Sequence, residues 1–166
     1  HTHTPVSGRA AAADSKVTVV DLPGIYALSA SSEDEVVARD YILSGEPDLV
    51  VDVVDASNLE RNLYLALQLI EMRVPVLVVL NMADVAEKRG IQLDPEHLSE
   101  HLGCPVIAVS AVRQEGIRAV REAIARVLSQ PGVSPVRVQY PEAVERLVEQ
   151  WSPALRPVAS GFQADE

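Results

Sequence analysis

Four short valine-rich runs of mostly apolar residues recur along this chain. Each is too short for a helix, and such runs are typical of strands that are covered on both faces. Stretches with helical periodicity separate them. This alternation predicts an α/β fold, in which right-handed crossovers build a mainly parallel sheet flanked by helices. The predicted strands are Lys16–Asp21, Leu49–Val54, Val76–Leu80 and Val106–Val109.

The stretches between the predicted strands carry helix-start signals. A serine followed three residues later by glutamate has capping-box spacing, in which hydroxyl and carboxylate each accept a backbone N–H. An aspartate followed by proline supplies an N-cap and a first helical residue. One helix also repeats leucine or isoleucine on one face, which we expect to lie on the sheet. These signals are Ser32 with Glu35, Ser57 with Glu60, Asp94 with Pro95, and the apolar face Leu59, Leu63, Leu67 and Ile70.

Two further helices are predicted, at Glu115–Leu128 and at Pro141–Trp151, with a proline-rich break between them. We therefore expect a main domain over residues 16–130, followed by a linker and the start of a helical unit over residues 131–166. The first 15 residues have no periodicity and no initiator methionine. They are expected to be the disordered edge of a chain truncated at its N terminus.

Composition limits the possible function classes. Of 166 residues, 48% are apolar and 23% are charged, which is typical of an ordinary folded domain. The formal charge of −10 opposes general nucleic-acid binding. The single cysteine, Cys104, forms no internal disulfide, which favours a reducing compartment. The longest apolar stretch, Val74–Leu80, is too short to span a bilayer, so we expect no membrane insertion by this chain.

The first predicted strand ends in Asp21-Leu22-Pro23-Gly24. A carboxylate at a strand's carboxyl end can hold a water of a Mg²⁺ shell, and a glycine lets a backbone N–H approach a phosphate oxygen. The alternative is a simple turn, because proline and glycine are common turn residues.

Polar and small residues also follow the last two predicted strands. Asn81-Met82-Ala83-Asp84 follows one, and Ser110-Ala111 follows the other. A carboxylate can accept two hydrogen bonds from the N1–H and the exocyclic amine of guanine, whereas adenine lacks that donor pair. The alternative is that Asn81 or Asp84 only caps the following helix.

In this order along the chain, the three turns resemble those of a GTPase G domain. Asp21–Gly24 is similar to its third motif, Asn81–Asp84 to its guanine-reading fourth motif, and Ser110-Ala111 to its fifth. More narrowly, residues from about Lys16 to Leu128 resemble the family of ferrous iron transport protein B. The resemblance is carried by residues 21–26, by Tyr41-Ile42-Leu43-Ser44-Gly45, and by the long stretch 54–65.

The resemblance implies an incomplete P-loop GTPase-like fold, in which Tyr140–Trp151 opens a C-terminal helical domain. It implies binding of GTP and GDP with Mg²⁺, and slow GTP hydrolysis coupled to Fe(II) uptake. It further implies a membrane permease portion as partner, at the cytoplasmic face of a bacterial inner membrane. The implied roles are a Mg²⁺ water ligand at Asp21, a γ-phosphate contact at Gly24, and guanine recognition by Asn81, Asp84, Ser110 and Ala111.

The chain also departs from the family pattern. It contains no Gly-x-x-x-x-Gly-Lys-Ser/Thr, so the phosphate-cradling loop and its lysine are absent from it. Met82 stands where many GTPases have lysine. In G domains, another strand lies between those ending here at Asp21 and Asp55, so this chain is expected to have a gap at the centre of the sheet. Either these two strands close up or the chain folds poorly by itself. We expect weak GTP affinity.

Two other functions remain open from the residues alone. One is a nonenzymatic α/β interaction module, in which the acids at strand ends only cap helices. Asp55, Asn58 and Arg61 follow a strand end and could touch a ligand, but capping and solvated helix faces explain such residues more often. The other is a zinc hydrolase, because His97-Leu98-Ser99-Glu100-His101 matches the H-x-x-E-H pattern. A solvated helix explains that match more simply, since catalytic zinc needs a third ligand.

Overall fold

The computed structural model describes residues 6–12, 15–29 and 32–160, with side chains described for residues 17–29 and 32–152. The strands are β1 (Val6–Ala12), β2 (Ser15–Asp21), β3 (Val50–Asp55), β4 (Val76–Asn81) and β5 (Val106–Ala108). The helices are α1 (Glu33–Leu43), α2 (Leu59–Glu71), α3 (Ala83–Lys88), α4 (Pro95–Leu102), α5 (Ile117–Ser129) and α6 (Glu142–Ser160).

The predicted α/β fold is confirmed, since β3, β4 and β5 form a parallel sheet in that order. Helices cover both faces of it. On one face, α2 and α4 pack against Val76, Val78 and Leu80 of β4. On the other face, α5 packs against Leu77 and Val79. All five residues from Val76 to Leu80 are buried, as expected for a central strand between two helical layers.

The N-terminal strands form a separate sheet. β1 and β2 pair as an antiparallel hairpin with Val6 opposite Asp21, and β2 does not join the parallel sheet. Residues 6–12 form β1 by pairing with β2, although their alanine-rich sequence did not suggest a strand. Among the described residues, the strands ending at Asp21 and Asp55 do not pair with each other, so they do not close up.

Two of the three predicted helix caps form. The Ser32 hydroxyl accepts from Glu35 N at 3.2 Å, and the Asp94 carboxylate accepts from His97 N at 2.9 Å. The prediction at Ser57 is wrong, because Asp55 at the end of β3 caps a short 3-10 turn instead and accepts from Ser57 N at 2.8 Å. That turn delays the start of α2 to Leu59.

The chain divides into two compact units at Val136 and Arg137. Residues just after the predicted domain boundary still belong to the first unit: Ser134 is buried and its hydroxyl donates to the Leu102 carbonyl oxygen at 2.6 Å. The second unit contains α6, which is longer than the predicted helix. None of the helices that the structure describes combines the length and hydropathy that a bilayer-spanning segment needs.

Candidate functional site

The carboxyl ends of β4 and β5 lie side by side because the two strands are parallel neighbours. Val109 N donates to the Leu80 carbonyl oxygen at 2.8 Å, and Ala83 N donates to the Val109 carbonyl oxygen at 3.1 Å. These backbone hydrogen bonds tie the turn after β4 to the turn after β5. Side chains from both turns therefore meet at one edge of the sheet.

Four of the predicted site residues form two hydrogen bonds across this junction. The Ser110 hydroxyl donates to Asp84 Oδ1 at 2.8 Å, and Ala111 N donates to Asn81 Oδ1 at 3.2 Å. Ser110 is only 2% exposed, so its hydroxyl is held in place by the surrounding protein. We call Asn81, Asp84, Ser110 and Ala111 the base-end cluster.

The electrostatic environment keeps Asp84 ionised. The hydrogen bond from Ser110 lowers the pKa of Asp84, partial burial acts in the opposite direction, and the Arg113 charge lowers the pKa again. Asp84 Oδ2 has Arg113 Nε at 3.9 Å and Lys88 Nζ at 4.0 Å, both beyond hydrogen-bond distance. A carboxylate oxygen thus remains able to accept hydrogen bonds from a ligand.

Two backbone features that shape the cluster were missed by sequence reasoning. Met82 adopts a left-handed conformation with φ of 63°, which turns the chain sharply from β4 into α3. Gly116 has φ of 80°, and a Cβ there would meet the Ala108 carbonyl oxygen at 2.5 Å. Gly116 closes the loop in which Ser110 and Glu115 exchange backbone hydrogen bonds. The glycine was visible in the sequence, whereas nothing in the sequence marked Met82 as left-handed.

The structure does not connect Asp21 and Gly24 to the base-end cluster. Both are exposed, at and just after the end of β2 in the separate hairpin. Within the described residues, no hydrogen bond or ion pair joins either of them to the cluster. The segment after Gly24 instead contacts α2, where Leu28 N donates to Gln68 Oε1 at 2.9 Å and Arg61 stacks on Tyr26 at 4.3 Å.

Of the other candidate residues, Asp55 has a structural role, and the two histidines lie apart from the base-end cluster in the sequence. Asp55 pairs in register with Asn81, but its carboxylate caps the turn at Ser57. His97 and His101 lie exposed on α4. In the part of the chain that the structure describes, no three His, Cys, Asp or Glu side chains are grouped to hold a metal ion. The zinc hydrolase therefore lacks its third ligand among these residues.

The parallel sheet and the paired turns at its carboxyl edge match the fold expected of a GTPase-type G domain. The sequence model for ferrous iron transport protein B matches residues 2–124, and the chain belongs to this family. The Fe(2+) transporter FeoB of Salmonella typhimurium and that of Escherichia coli K12 are each 49% identical over 138 residues. The match covers 81% of this chain but only 18% of the length of each of these curated relatives.

Solved structures agree with this assignment. The cytosolic domain of the T. maritima FeoB iron transporter in a GDP form has a TM-score of 0.87 and 35% identity, covering 94% of this chain and 62% of that one. Its GMPPNP form has a TM-score of 0.84 and 36% identity, covering 90% and 59%. The Methanococcus jannaschii FeoB G-domain has a TM-score of 0.72 and 46% identity, covering 75% and 80%. These similarities do not favour the interaction module or the zinc hydrolase.

Proposed function

We propose that this chain binds guanine nucleotides through the base-end cluster. We further propose that, within a longer transporter, it is the GTPase domain whose GTP binding and hydrolysis are coupled to Fe(II) uptake. The observation that carries this proposal is the ionised Asp84 carboxylate, which Ser110 fixes at the carboxyl edge of the sheet. The T. maritima relatives solved in GDP and GMPPNP forms support the choice of nucleotide.

Base recognition follows from the hydrogen-bonding capacity of Asp84. Its carboxylate accepts from the N1–H and the exocyclic amine of guanine, while adenine offers no such donor pair and leaves the acid unpaired. The hydrogen bond between Asn81 and Ala111 holds the second turn against the first. The exposed Met82 thioether stem can lie against the base where many GTPases use the stem of a lysine.

The phosphate end of the site is proposed at Asp21 and Gly24. Mg²⁺ would neutralise phosphate charge, and it keeps several waters, so the single exposed carboxylate of Asp21 is sufficient to hold its water shell. Gly24 has no positive φ, and a Cβ at this position would meet nothing within 4 Å. Neither backbone strain nor packing thus requires glycine here, which supports a role in admitting a phosphate to its N–H.

The remaining proposals concern the whole protein. The membrane permease portion of the parent transporter is the proposed partner, and the cytoplasmic face of the bacterial inner membrane is the proposed location. Nucleic acid is not a proposed ligand, because a formal charge of −10 repels phosphate backbones. The affinity of this chain alone for GTP is proposed to be weak, since it contains no phosphate-cradling loop.

A nucleotide titration followed by ¹⁵N NMR tests the proposal, because chemical shifts report weak binding residue by residue. GDP with Mg²⁺ should shift the backbone amides of the base-end cluster, and ADP at the same concentration should shift them much less. Amides of α4, on which no nucleotide contact is proposed, serve as the internal control. Equal shifts with both nucleotides, or none with GDP, would overturn guanine recognition, and submicromolar affinity would overturn the expectation of weak binding.

A further inference from the structure

A pair of histidines on α4 forms a second candidate site. His97 and His101 are spaced four residues apart, which places them on the same face of the helix. Both are exposed, their ring centroids are 4.2 Å apart, and the ring planes are inclined by 57°. Two imidazoles at this spacing can bind one cation together.

A backbone contact favours one tautomer of one ring. His101 Nδ1 lies 2.9 Å from the His97 carbonyl oxygen. A carbonyl oxygen only accepts hydrogen bonds, so Nδ1 carries the proton in this contact. In the neutral ring, Nε2 is then left as a bare lone pair. Metal-binding histidines usually show this arrangement, with the second ring nitrogen donating to a carbonyl or a carboxylate.

The helix that carries the pair is anchored at both ends. Asp94 caps its N terminus by accepting from His97 N at 2.9 Å, and Gly103 ends it in a left-handed conformation. Leu98 and Leu102, which directly follow the two histidines along α4, pack into the core. His101 lies in the last turn, where the helix dipole favours a bound cation. The two rings therefore project from a fixed support.

We propose that His97 and His101 form a surface chelate for a divalent transition-metal cation. Imidazole ligands suit Zn²⁺, Fe²⁺, Ni²⁺ and Cu²⁺, whereas Mg²⁺ and Ca²⁺ prefer oxygen ligands. Since the described residues offer the pair no third His, Cys, Asp or Glu, water completes the coordination sphere. Such a site exchanges its ion readily and is distinct from catalytic zinc. It is also independent of the guanine-nucleotide site.

Zn²⁺ titration by calorimetry tests the proposal, with Mg²⁺ as the comparison cation. His1 and His3 lie outside the described residues and could bind metal at a free N terminus, so all proteins in the experiment carry His1→Gln and His3→Gln. In this background we expect one Zn²⁺ per chain and no Mg²⁺ effect. His97→Gln and His101→Gln should each weaken Zn²⁺ binding by about tenfold or more.

A spacing variant is the matched control. His97→Gln combined with Glu100→His keeps two histidines on α4 but places them at adjacent positions, which face different directions on a helix. This variant should lose as much Zn²⁺ affinity as His97→Gln alone. If it binds Zn²⁺ like the protein with both native histidines, or if the single substitutions leave the affinity unchanged, the proposed chelate is wrong. Circular dichroism before titration verifies that α4 is intact in each variant.

Discussion

The two edges of the parallel sheet, the β5 side and the β3 side, differ in how completely their polar groups have hydrogen-bond partners. On the β5 side, Asp84 and Asn81 both accept hydrogen bonds from the turn that begins at Ser110. On the β3 side, Val53 is 62% exposed, and Asp52 is buried with Oδ2 lacking a hydrogen-bond partner in the described structure. The base-end cluster is thus built by contacts within this chain, whereas the β3 side is not completed by the residues described.

The same contrast separates the two halves of the proposed nucleotide site. The base-end cluster belongs to the turns that join β4 and β5 to the following helices, and backbone hydrogen bonds link those turns. Asp21 and Gly24 belong to a hairpin that shares no strand pairing with this sheet. The residues of the proposed base end are therefore held together by contacts within this chain, and the contacts described leave the proposed phosphate end without that support.

The largest expected effect is on the unfolding free energy, because the centre of the sheet is packed on both faces and the β3 side is partly exposed. Val78→Ala in β4 removes a fully buried side chain and should lower the free energy of unfolding by about 2–3 kcal/mol. Val53→Ala is the same substitution in the neighbouring strand and should cost under about 0.5 kcal/mol. Urea denaturation of both variants measures this difference. Equal losses would show that the β3 side is covered after all.

The next effect concerns the buried carboxyl group of Asp52, whose Oδ2 has no hydrogen-bond partner among the described residues. Burial raises the pKa of Asp52 to about 6 from 3.8, so the folded state takes up a proton near pH 6 while the unfolded state does so near pH 4. The contribution of Asp52 to stability therefore increases as the pH falls through this window. Between pH 7.5 and 5 the gain should be about 1.4 kcal/mol.

Asp52→Asn isolates this contribution, because it removes the titrating proton and nearly preserves the side-chain volume. Lowering the pH from 7.5 to 5 should raise the unfolding free energy of the native chain relative to that of the variant by about 1.4 kcal/mol. A difference independent of pH would mean that Asp52 has a partner or is exposed to water.

A smaller effect is expected in the base-end cluster. Ser110→Ala removes the hydrogen bond to Asp84, which is the largest cause of its lowered pKa, so the pKa of Asp84 should rise. Carboxyl NMR titration measures this shift. Because the pKa of Asp84 is lowered in the folded state, its ionised carboxylate stabilises the fold at pH values above the unfolded-state pKa. This stabilisation is lost as the pH falls, so the stability cost of Ser110→Ala should shrink in acid.

Ser99→Ala is the control for that prediction. Its hydroxyl donates to the Cys104 carbonyl oxygen at 2.8 Å and has no contact with Asp84. It should therefore reduce stability without moving the pKa of Asp84. If both variants leave that pKa unchanged, Ser110 does not orient the carboxylate.

How much the sequence revealed depended on how local the signal was. β4 was predicted within one residue because a continuous apolar run between turns has few alternatives. The base-end cluster was predicted because each of its residues lies at the end of a strand or within three residues after it. β1 was missed because its alanines and glycine have low strand propensity, and pairing with β2 outweighs that preference.

Features that depend on tertiary geometry were not predictable in this way. Before α2, Asp55 and Ser57 were both plausible caps. Asp55 is the cap because the chain enters a 3-10 turn directly after β3. The burial of Asp52 follows from the strand register that sets it opposite Val78, which one sequence does not specify. The left-handed Met82 likewise reflects the angle between β4 and α3.

The central claim is that Asp84 reads the base, and a change of nucleotide preference tests it most directly. Asp84→Asn keeps an acceptor for Ser110 but adds an amide donor, which suits the extra carbonyl of xanthine. NMR titrations with GDP and XDP should show that this variant shifts preference from guanine towards xanthine, while Asp94→Asn, which preserves its helix cap, keeps the guanine preference. An unchanged preference in Asp84→Asn, or no GDP binding by the native chain, would contradict the account.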